Sequence, residues 1–371
     1  MKIIRLSRLY IYPVKSMKGI RLSKAYTENS GLVFDRYFMV TNTQGKFITV
    51  RQYPHMLLFK PIILDNGIQL QAPDNQTATI LYKDFINHPL PTEAWGNHFT
   101  SLAAPVKINR SLSQYFNIAV QLWWLGKIPS QRIKKFPTIP ILFADGYPYL
   151  LINQTSFKAV QQQCPANINI EQFRGNLIIT GAEAFAEDSW QMIQIGDVIF
   201  DLVKPCSRCI LTTVNINKGT QQPSGEPLTT LQKFRADENE EIDFGQNATT
   251  NNSGLMRVGN VVKVLAKKVP KQYKMRKTTP TAIIKPANKM PLTININGTE
   301  YVANNQTVIL EQLEKHGLKI PYSCRAGICG CYKMELIEGE VIPLINTTIK
   351  ENGMILSYSC IPKTNIKLLL N

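Results

Sequence analysis

The cysteines of this chain fall into groups whose spacing suits chemistry better than packing. The chain has 371 residues and seven cysteines. Five of the seven form two tight groups, Cys206 with Cys209 and Cys324 with Cys329 and Cys331. An odd number in tight groups argues against a secreted disulfide framework. Clustered thiols in a reducing compartment bind metal or carry out redox reactions, so these groups are the first candidates for function.

The second group has the spacing of an iron–sulfur site. Cys324 and Cys329 form a C-x₄-C pair, which opens the C-x₄-C-x₂-C arrangement that holds a [2Fe–2S] cluster together with a distant fourth cysteine. Cys360 is placed to be that fourth ligand. Gly327 and Gly330 would let backbone amides approach the sulfides. The motif and its surroundings over residues 290–371 resemble plant-type [2Fe–2S] ferredoxins.

One position departs from that arrangement. The spacing requires cysteine at 332, but the chain has Cys331 followed by Tyr332. A step of one residue moves Cα by about 3.8 Å, which exceeds a metal–thiolate bond of about 2.3 Å. Three outcomes stay open: the loop rearranges so that Cys331 ligates, Tyr332 or water fills the position, or no stable cluster forms. We expect the first, and the predicted cluster ligands are Cys324, Cys329, Cys331 and Cys360.

The Cys206-x-x-Cys209 pair is ambiguous by itself. It could be half of a zinc site, a thioredoxin-like dithiol, two structural cysteines, or a source of one thiolate ligand for a soft metal. A zinc site needs two more ligands, and the sequence offers no second pair. A dithiol of the thioredoxin type opens a helix, whereas Ile210 to Val214 is a β-branched run typical of a strand.

The elements that must position these residues are mostly strands. A hairpin is predicted from Tyr37–Thr41 and Lys46–Arg51, and two strands joined at Gly196-Asp197 are predicted within Ala186–Val203. Thr155–Gln163 is predicted to be a short helix. Asp237–Gly254 is polar and rich in Asn and Thr, which predicts a surface loop.

The order of elements changes towards the C-terminal part. Thr293–Ile296 and Thr299–Ala303 flank Asn297-Gly298, a strong signal for a type I′ hairpin. Thr307–His316 carries apolar residues on one helical face and is followed by Gly317. A second hairpin is predicted across Glu338-Gly339. Two strands, a helix, a cysteine-bearing loop and further strands follow the order of a β-grasp, an α+β fold.

Half of the chain's net charge of +16 lies in one short segment. Residues 267–289 hold eight basic residues, no acidic one and three prolines. We interpret this segment as an interdomain linker; the alternative is a docking strip for an acidic partner or nucleic acid. No neighbouring module resembles a nucleic-acid binder. The expected domains are 1–115, 116–266, the linker 267–289, and 290–371.

Several motifs together identify a family. KPCSRCILTTV (204–214) resembles the signature of MOSC domains, and three motifs precede it in that family's order: FRGNLIITG (173–181), AEDSW (186–190) and IGDVIF (195–200). YPVKSMKG (12–19) and FDRYFMV (34–40) look like the β-barrel that precedes MOSC in the amidoxime-reducing group. With its ferredoxin-like part, the whole chain resembles the YcbX-type MOSC–ferredoxin reductases. The resemblance implies a mostly β protein with α/β elements, built on a MOSC β-barrel core.

The resemblance also implies a cofactor and its ligands. Such enzymes hold molybdenum in one pterin dithiolene, with the second cysteine of the C-x-x-C element, here Cys209, as protein ligand and catalytic centre. Cys206 would then have a supporting role. Guanidinium and ammonium groups suit the cofactor's phosphate. The residues implied in cofactor binding are Lys15, Ser16, Arg36, Gly146, Tyr147, Arg174, Asn176, Ser207, Arg208 and Asn247. Asn247 stands where the family often has an aromatic residue.

The implied activity is the reduction of small N-hydroxylated compounds. Electrons would come from an external NADPH-dependent flavoprotein reductase and pass through the chain's own [2Fe–2S] domain. Two alternatives stay open: a protein that carries molybdenum cofactor or sulfur, and a non-catalytic electron carrier, which would hold iron without stoichiometric molybdenum. The sequence has no apolar stretch long enough to span a membrane and no signal peptide. We therefore expect a cytoplasmic protein with no membrane or nucleic-acid partner.

Overall fold

The computed structural model describes residues 3–94, 97–126, 142–222, 224–238, 241–275, 288–318, 333–343, 353–357 and 360–369. The chain forms two compact units. The first comprises residues 1–206, 211–227 and 244–271, and the second comprises residues 207–210, 228–243 and 272–371.

Strands dominate the chain up to residue 267, as expected. In chain order they are β1 (Arg5–Ile11), β2 (Ile20–Leu22), β3 (Lys24–Glu28), β4 (Gly31–Leu32), β5 (Phe38–Asn42), β6 (Lys60–Leu64), β7 (Gly67–Gln71), β8 (Thr77–Leu81), β9 (Leu90–Ala94), β10 (Asn97–Ala103), β11 (Val120–Trp124), β12 (Tyr149–Asn153), β13 (Leu177–Thr180), β14 (Trp190–Ile195), β15 (Val198–Ser207), β16 (Val214–Asn215), β17 (Thr220–Gln221), β18 (Asp243–Thr250), β19 (Gly254–Arg257) and β20 (Val262–Lys267).

Helices are few in this part of the chain. The α-helices are α1 (Val106–Phe116), α2 (Gln154–Gln163) and α3 (Leu228–Arg235). The short 3-10 helices are Pro54–Leu58, Tyr82–Asp84, Ile170–Phe173, Ala186–Ser189 and Ile210–Thr213. Helix α2 confirms the prediction for Thr155–Gln163, and the Asn153 side chain caps it by accepting from the Thr155 amide.

An eight-stranded sheet with the order β2-β1-β13-β12-β18-β15-β14-β20 forms the main frame. It curls back on itself, because Arg5 at the start of β1 bridges to Val261 and the Val262 amide donates to the Ile4 carbonyl at 2.9 Å. Strand β1 comes from the N-terminal part and β13 from the later part. The expected boundary near residue 115 therefore separates segments that share one sheet.

A bulge in β1 keeps its apolar side chains facing the core. The pairing with β13 shifts register between Leu6 and Arg8. Without that shift, strict alternation would place Leu6 and Leu9 on opposite faces of the sheet. With it, Leu6, Leu9 and Ile11 all join one buried cluster with residues of β13, β14 and β15. The sheet thus closes around a continuous apolar core.

The predicted surface loop at Asp237–Gly254 is wrong, because β18 is an inner strand of the sheet. Its polar side chains are buried with hydrogen-bond partners, which polar composition alone does not reveal. The Gln246 amide donates to Asp188 Oδ1 at 2.8 Å, and the Thr250 hydroxyl donates to the Ile199 carbonyl at 2.7 Å.

The AEDSW motif is a structural element of the first unit. Glu187 lies in the 3-10 helix before β14 and accepts from Ser156 Oγ at 2.7 Å and from Asn153 Nδ2 at 2.9 Å. Burial raises the pKa of Glu187 to about 7, against the effect of these donors. Strands β14 and β15 then pair around Gly196 and Asp197, which confirms the predicted pair of strands.

Two further strand predictions need correction. Lys46 and Phe47 return alongside β5 through a bridge from Phe47 to Thr41 and a bond from the Asn42 amide to the Lys46 carbonyl, but they form no strand. The β-branched run Ile210–Val214 is a 3-10 helix followed by the first residue of β16. Tertiary contacts outweigh the β-propensity of this run.

The C-terminal part has the strands and helix of a β-grasp. They are β21 (Pro291–Ile296), β22 (Thr299–Asn304), α4 (Ile309–Lys315), β23 (Lys333–Glu338), β24 (Val341–Pro343), β25 (Met354–Leu356), β26 (Cys360–Pro362) and β27 (Ile366–Leu369). The sheet order is β22-β21-β27-β23-β25, with β21 parallel to β27. Asn297 and Gly298 have φ of 49° and 90°, which confirms the predicted type I′ turn.

The predicted hairpin across Glu338-Gly339 is wrong in its pairing. The turn exists, with Gly339 at φ 90°. However, β23 pairs with β25 and β27, whereas β24 pairs with β26. The chain therefore changes sheets at this turn. A turn signal in the sequence marks where the chain bends and leaves the strand partner undetermined.

The basic segment 267–289 is only partly described. Lys267 ends β20, residues 268–275 are described, and residues 276–287 lie outside the described part. None of the helices in the described part of the chain has the length and hydropathy that a membrane-spanning segment needs.

Candidate cofactor-binding site

Three loops of the first unit meet at one edge of the main sheet. Leu9 of β1 pairs antiparallel with Leu177 of β13, which pairs parallel with Leu151 of β12. The C-terminal end of β1 and the N-terminal starts of β12 and β13 therefore lie at the same edge. The loops there carry the YPVKS, FRGN and Asp145-Gly146-Tyr147 segments, which the sequence had assigned to cofactor binding from separate motifs.

At this edge the buried ring of Tyr12 carries two guanidinium groups. Arg174 lies 4.2 Å from the ring centroid and Arg36 lies 4.6 Å from it. Both arginines have positive φ, 54° and 56°, which is uncommon for residues other than glycine. Each is held there by backbone bonds: the Arg36 amide donates to the Tyr12 carbonyl, and the Arg174 amide caps the 3-10 helix before it. The backbone aims both side chains at one place.

Lys15 is the third buried cation of this edge. Its ammonium group donates to the Phe143 carbonyl at 2.8 Å and forms an ion pair with Asp145. Arg51 reaches the other oxygen of Asp145, with 3.9 Å between Nη2 and Oδ2. Asp145 is half exposed, so its carboxylate bridges two buried cations at the surface.

Positive charge exceeds negative charge at this edge. Four cations (Lys15, Arg36, Arg51 and Arg174) face two carboxylates, Asp145 and Asp35, of which Asp35 pairs with Arg36. Burial, aided by Arg36, lowers the pKa of Arg174 to about 10. Burial also lowers the pKa of Lys15, against the attraction of Asp145. The fold therefore holds cations where their charged forms are disfavoured.

This charge imbalance fits an anionic ligand. A phosphate monoester carries about −1.5 to −2 charges at pH 7, so a surplus of cations among the described residues suits such a group. Guanidinium groups bind phosphate oxygens bidentately. The local surplus of positive charge thus fits the phosphate-bearing end of a molybdenum cofactor.

The other expected binding residues of the first unit have varied surroundings. Ser16 is buried with φ 69°, beside Lys15. Among the described residues, no atom lies within 4 Å of the place that a Cβ at Gly146 would occupy. Lys204 lies 5.8 Å from the ring of Tyr147. The Asn176 amide is engaged by backbone, since it donates to the Tyr10 carbonyl and accepts from the Leu150 amide.

The strand that leads to the C-x-x-C element is braced by β18. Asn247 Nδ2 donates to the Pro205 carbonyl at 3.3 Å, directly before Cys206. Cys206 is a half-buried thiol at the end of β15. The family resemblance had assigned Asn247 to cofactor contact; its amide in this structure supports the backbone beside the cysteine pair.

Ser207, Arg208 and Cys209 belong to the second unit. Ser207 is exposed, Arg208 is buried and Cys209 is a half-buried thiol. The Arg208 amide donates to the Ile242 carbonyl at 2.7 Å, so the loop is held directly before the expected metal ligand.

Of the four expected cluster ligands, Cys360 lies within the described residues. It is a buried thiol at the start of β26, opposite Pro343 of β24. Cys324, Cys329 and Cys331 lie outside the described residues. Within the described ranges, no three histidine, cysteine or acidic side chains are grouped as a metal site requires.

Sequence reasoning missed three members of the cationic site. Arg51 stands alone in the sequence with no motif around it, and no signal could have assigned it. Asp35 lies within the FDRYF motif, and Tyr12 lies within YPVKS. Their positions within the motifs do not distinguish a structural role from a role in the site. They are the groups that hold and orient the two arginines.

Comparison with protein families divides the chain into three matches. The models are the MOSC N-terminal beta barrel domain at residues 3–119, the MOSC domain at 138–263 and the 2Fe-2S iron-sulfur cluster binding domain at 292–361.

This chain matches most of the length of its curated relatives. Mitochondrial amidoxime-reducing component 1 of Xenopus laevis is 30% identical over 278 residues, which is 69% of this chain and 80% of that protein. The Homo sapiens component 1 is 30% identical over 70% of this chain and 82% of that protein, and human component 2 is 29% identical over 69% and 82%. The chain therefore belongs to the family of the amidoxime-reducing components, molybdenum-dependent MOSC oxidoreductases, and it carries a 2Fe-2S cluster binding domain on the same polypeptide.

Proposed function

We propose that this enzyme reduces small N-hydroxylated compounds. The reaction is R–NHOH plus two electrons and two protons to R–NH₂ and water. The cationic site around Tyr12 is the observation that carries the proposal, because its excess charge suits the anionic end of a molybdenum cofactor. The relatives' names supply the substrate class, since they are amidoxime-reducing components.

In this proposal the chain's own residues hold the cofactor. Arg36, Arg174 and Lys15 bind its phosphate, with Arg51 beside them, and Cys209 is the protein ligand of the metal. Ser16, Gly146, Tyr147, Asn176, Ser207, Arg208 and Asn247 complete the surroundings. When bound, the cofactor supplies a metal that can accept oxygen and change its charge in one-electron steps.

Electrons are proposed to reach this site through the chain's own [2Fe–2S] domain. A cluster of this type delivers one electron at a time, so it must deliver twice per turnover. The proposed ligands are Cys324, Cys329, Cys331 and Cys360, and residues 267–289 link the domain to the rest and raise its effective concentration. An external NADPH-dependent flavoprotein reductase is the proposed electron donor.

A turnover assay tests this function. We expect the purified protein, reduced with dithionite, to convert benzamidoxime to benzamidine, because the N–O bond is the group reduced. Protein from a host that cannot make molybdenum cofactor is the control and should not convert it. Equal conversion by both preparations, or none by protein that contains molybdenum, would contradict the proposal. A cofactor carrier or an electron carrier predicts no conversion with either.

A further inference from the structure

Residues 272–275, within the expected linker, are folded against residues 235–236 and 242–243 of the second unit. Lys274 pairs with Ala236, and the Lys274 amide donates to the Ala236 carbonyl at 3.0 Å. Ala236 in turn pairs with Ile242. Residues 272–275 thus add a third segment to a small antiparallel arrangement, although the composition of the segment predicts a solvated tether.

Tyr273 fastens this segment through its side chain. The Arg235 guanidinium lies 4.0 Å from the centre of its ring, and Arg235 Nη2 donates to the Tyr273 hydroxyl at 3.2 Å. The same hydroxyl donates to Asp243 Oδ2 at 3.2 Å. Arg235 and Asp243 are both buried. Tyr273 therefore joins a buried cation to a buried carboxylate, a contact whose removal disturbs both.

The same part of the second unit holds the backbone next to Cys209. The Ile242 carbonyl, opposite Ala236, accepts from the Arg208 amide at 2.7 Å. A continuous series of backbone contacts thus runs from Lys274 through Ala236 and Ile242 to Arg208. Each member is a short contact within one compact unit. These contacts link the residue after Tyr273 to the residue before Cys209.

We propose that Tyr273 is a positioning residue for Cys209. By holding Arg235 and Asp243 it fixes the paired residues Ala236 and Ile242, and the Ile242 carbonyl fixes the Arg208 amide and hence the direction of the Cys209 side chain. This inference rests on the proposed role of Cys209 as the molybdenum ligand. A metal ligand held by a rigid backbone needs less reorganisation on binding than one in a mobile loop.

Hydrogen exchange of the full-length, cofactor-free protein tests the mechanical part. Tyr273→Ala should speed amide exchange in the peptide that contains residues 207–210 by about tenfold, as loss of a restraint of this kind does. Tyr273→Phe keeps the ring over Arg235 and should give a smaller increase. Lys274→Pro removes the amide that bonds Ala236 and should match Tyr273→Ala, whereas Lys274→Ala keeps that amide and is the control. Unchanged exchange at 207–210 in both Tyr273→Ala and Lys274→Pro would overturn the proposal.

The holoenzyme tests the link to the metal ligand. We expect Tyr273→Ala to lower molybdenum per chain and the dithionite-driven kcat, to alter the electron paramagnetic resonance spectrum of the reduced molybdenum, and to leave KM near the wild-type value. Faster exchange at 207–210 with molybdenum content, spectrum and kcat all unchanged would overturn the positioning role. If instead wild-type protein binds no molybdenum, the proposed function fails, and the exchange result still stands by itself.

Discussion

Cys209→Ser is expected to give a folded protein that keeps its iron and loses reduction of N-hydroxylated substrates by more than about a hundredfold. A thiolate is a strong soft ligand, whereas a serine hydroxyl ionises only at a far higher pKa and binds such a metal poorly. Molybdenum and iron per chain, measured with dithionite-driven turnover, check this result. The iron signal shows that the fold and the second cofactor survive.

Cys206→Ser and Cys164→Ser are the matched comparisons. Cys206 ends β15 beside the backbone that Asn247 braces, so its loss should leave a measurable fraction of activity. Cys164 is another half-buried thiol, 3.4 Å from Glu226 Oε2, and its replacement should leave turnover unchanged. Complete and equal loss in Cys206→Ser and Cys209→Ser would refute the assignment of a single protein ligand.

Arg174→Met is expected to weaken cofactor binding while it leaves the stability of the empty protein close to that of wild type. A charge-assisted hydrogen bond contributes about 1.5–3 kcal/mol, so the affinity for the cofactor should fall by about tenfold to a hundredfold. Burial and Arg36 hold the pKa of Arg174 at about 10 in the folded protein. A folded pKa below the unfolded value means that the protonated charge is disfavoured by folding at all pH values below that pKa. At pH 7 the cofactor-free variant is relieved of this penalty but loses the bond from Arg174 Nη1 to the Met17 carbonyl at 2.7 Å, so its stability should stay close to that of wild type.

Thermal unfolding of cofactor-free and cofactor-loaded protein separates the two effects. Wild type should gain a large increase in Tm on loading, and Arg174→Met should gain little. Arg21→Met is the control, since Arg21 is an exposed cation on β2, which pairs with β1 in the same sheet. A variant that binds cofactor normally, or an empty variant much less stable than wild type, would indicate that Arg174 serves the fold rather than the ligand.

Motifs predicted the cationic site better than they predicted its construction. Lys15, Arg36 and Arg174 come from three separate motifs. The sheet register brings the loops of Lys15 and Arg174 to one edge, and the Arg36 amide joins them through its bond to the Tyr12 carbonyl. The positive φ values of Arg36 and Arg174 and their shared contact with Tyr12 depend on non-local packing, which a single sequence does not display. Arg51 reaches the site through its ion pair with Asp145, and no motif in the sequence indicates that these two residues are partners. The chemical types were predictable, whereas the partnerships were not.

The errors in the fold have similar causes. Asp237–Gly254 has the composition of a loop, yet Gln246 and Thr250 lie in an inner strand, where the Gln246 amide donates to Asp188 and the Thr250 hydroxyl donates to the Ile199 carbonyl. Gly339 signals a turn, but the partners of β23 and β24 are set by distant strands. Tyr273 lies in a segment with linker composition and is held by Arg235 and Asp243. In each case a contact between residues far apart in the chain outweighs the local pattern.

The expected cluster ligands depart from the common spacing at one position. The common spacing places a cysteine at position 332, where this chain has Tyr332 preceded by Cys331. If Cys331 ligates, Cys331→Ala should lose iron and acid-labile sulfide while it keeps molybdenum. Tyr332→Cys should keep its iron and acid-labile sulfide. An unchanged cluster in Cys331→Ala would assign the fourth position to another group. A wild type without iron would leave the 292–361 domain without its proposed electron-transfer role.

Metal analysis of the wild-type protein, purified from a host replete in molybdenum cofactor, tests whether one chain holds both cofactors. We expect about one molybdenum per chain together with about two iron atoms, as a [2Fe–2S] centre requires. Iron without stoichiometric molybdenum would contradict it and would favour an electron carrier.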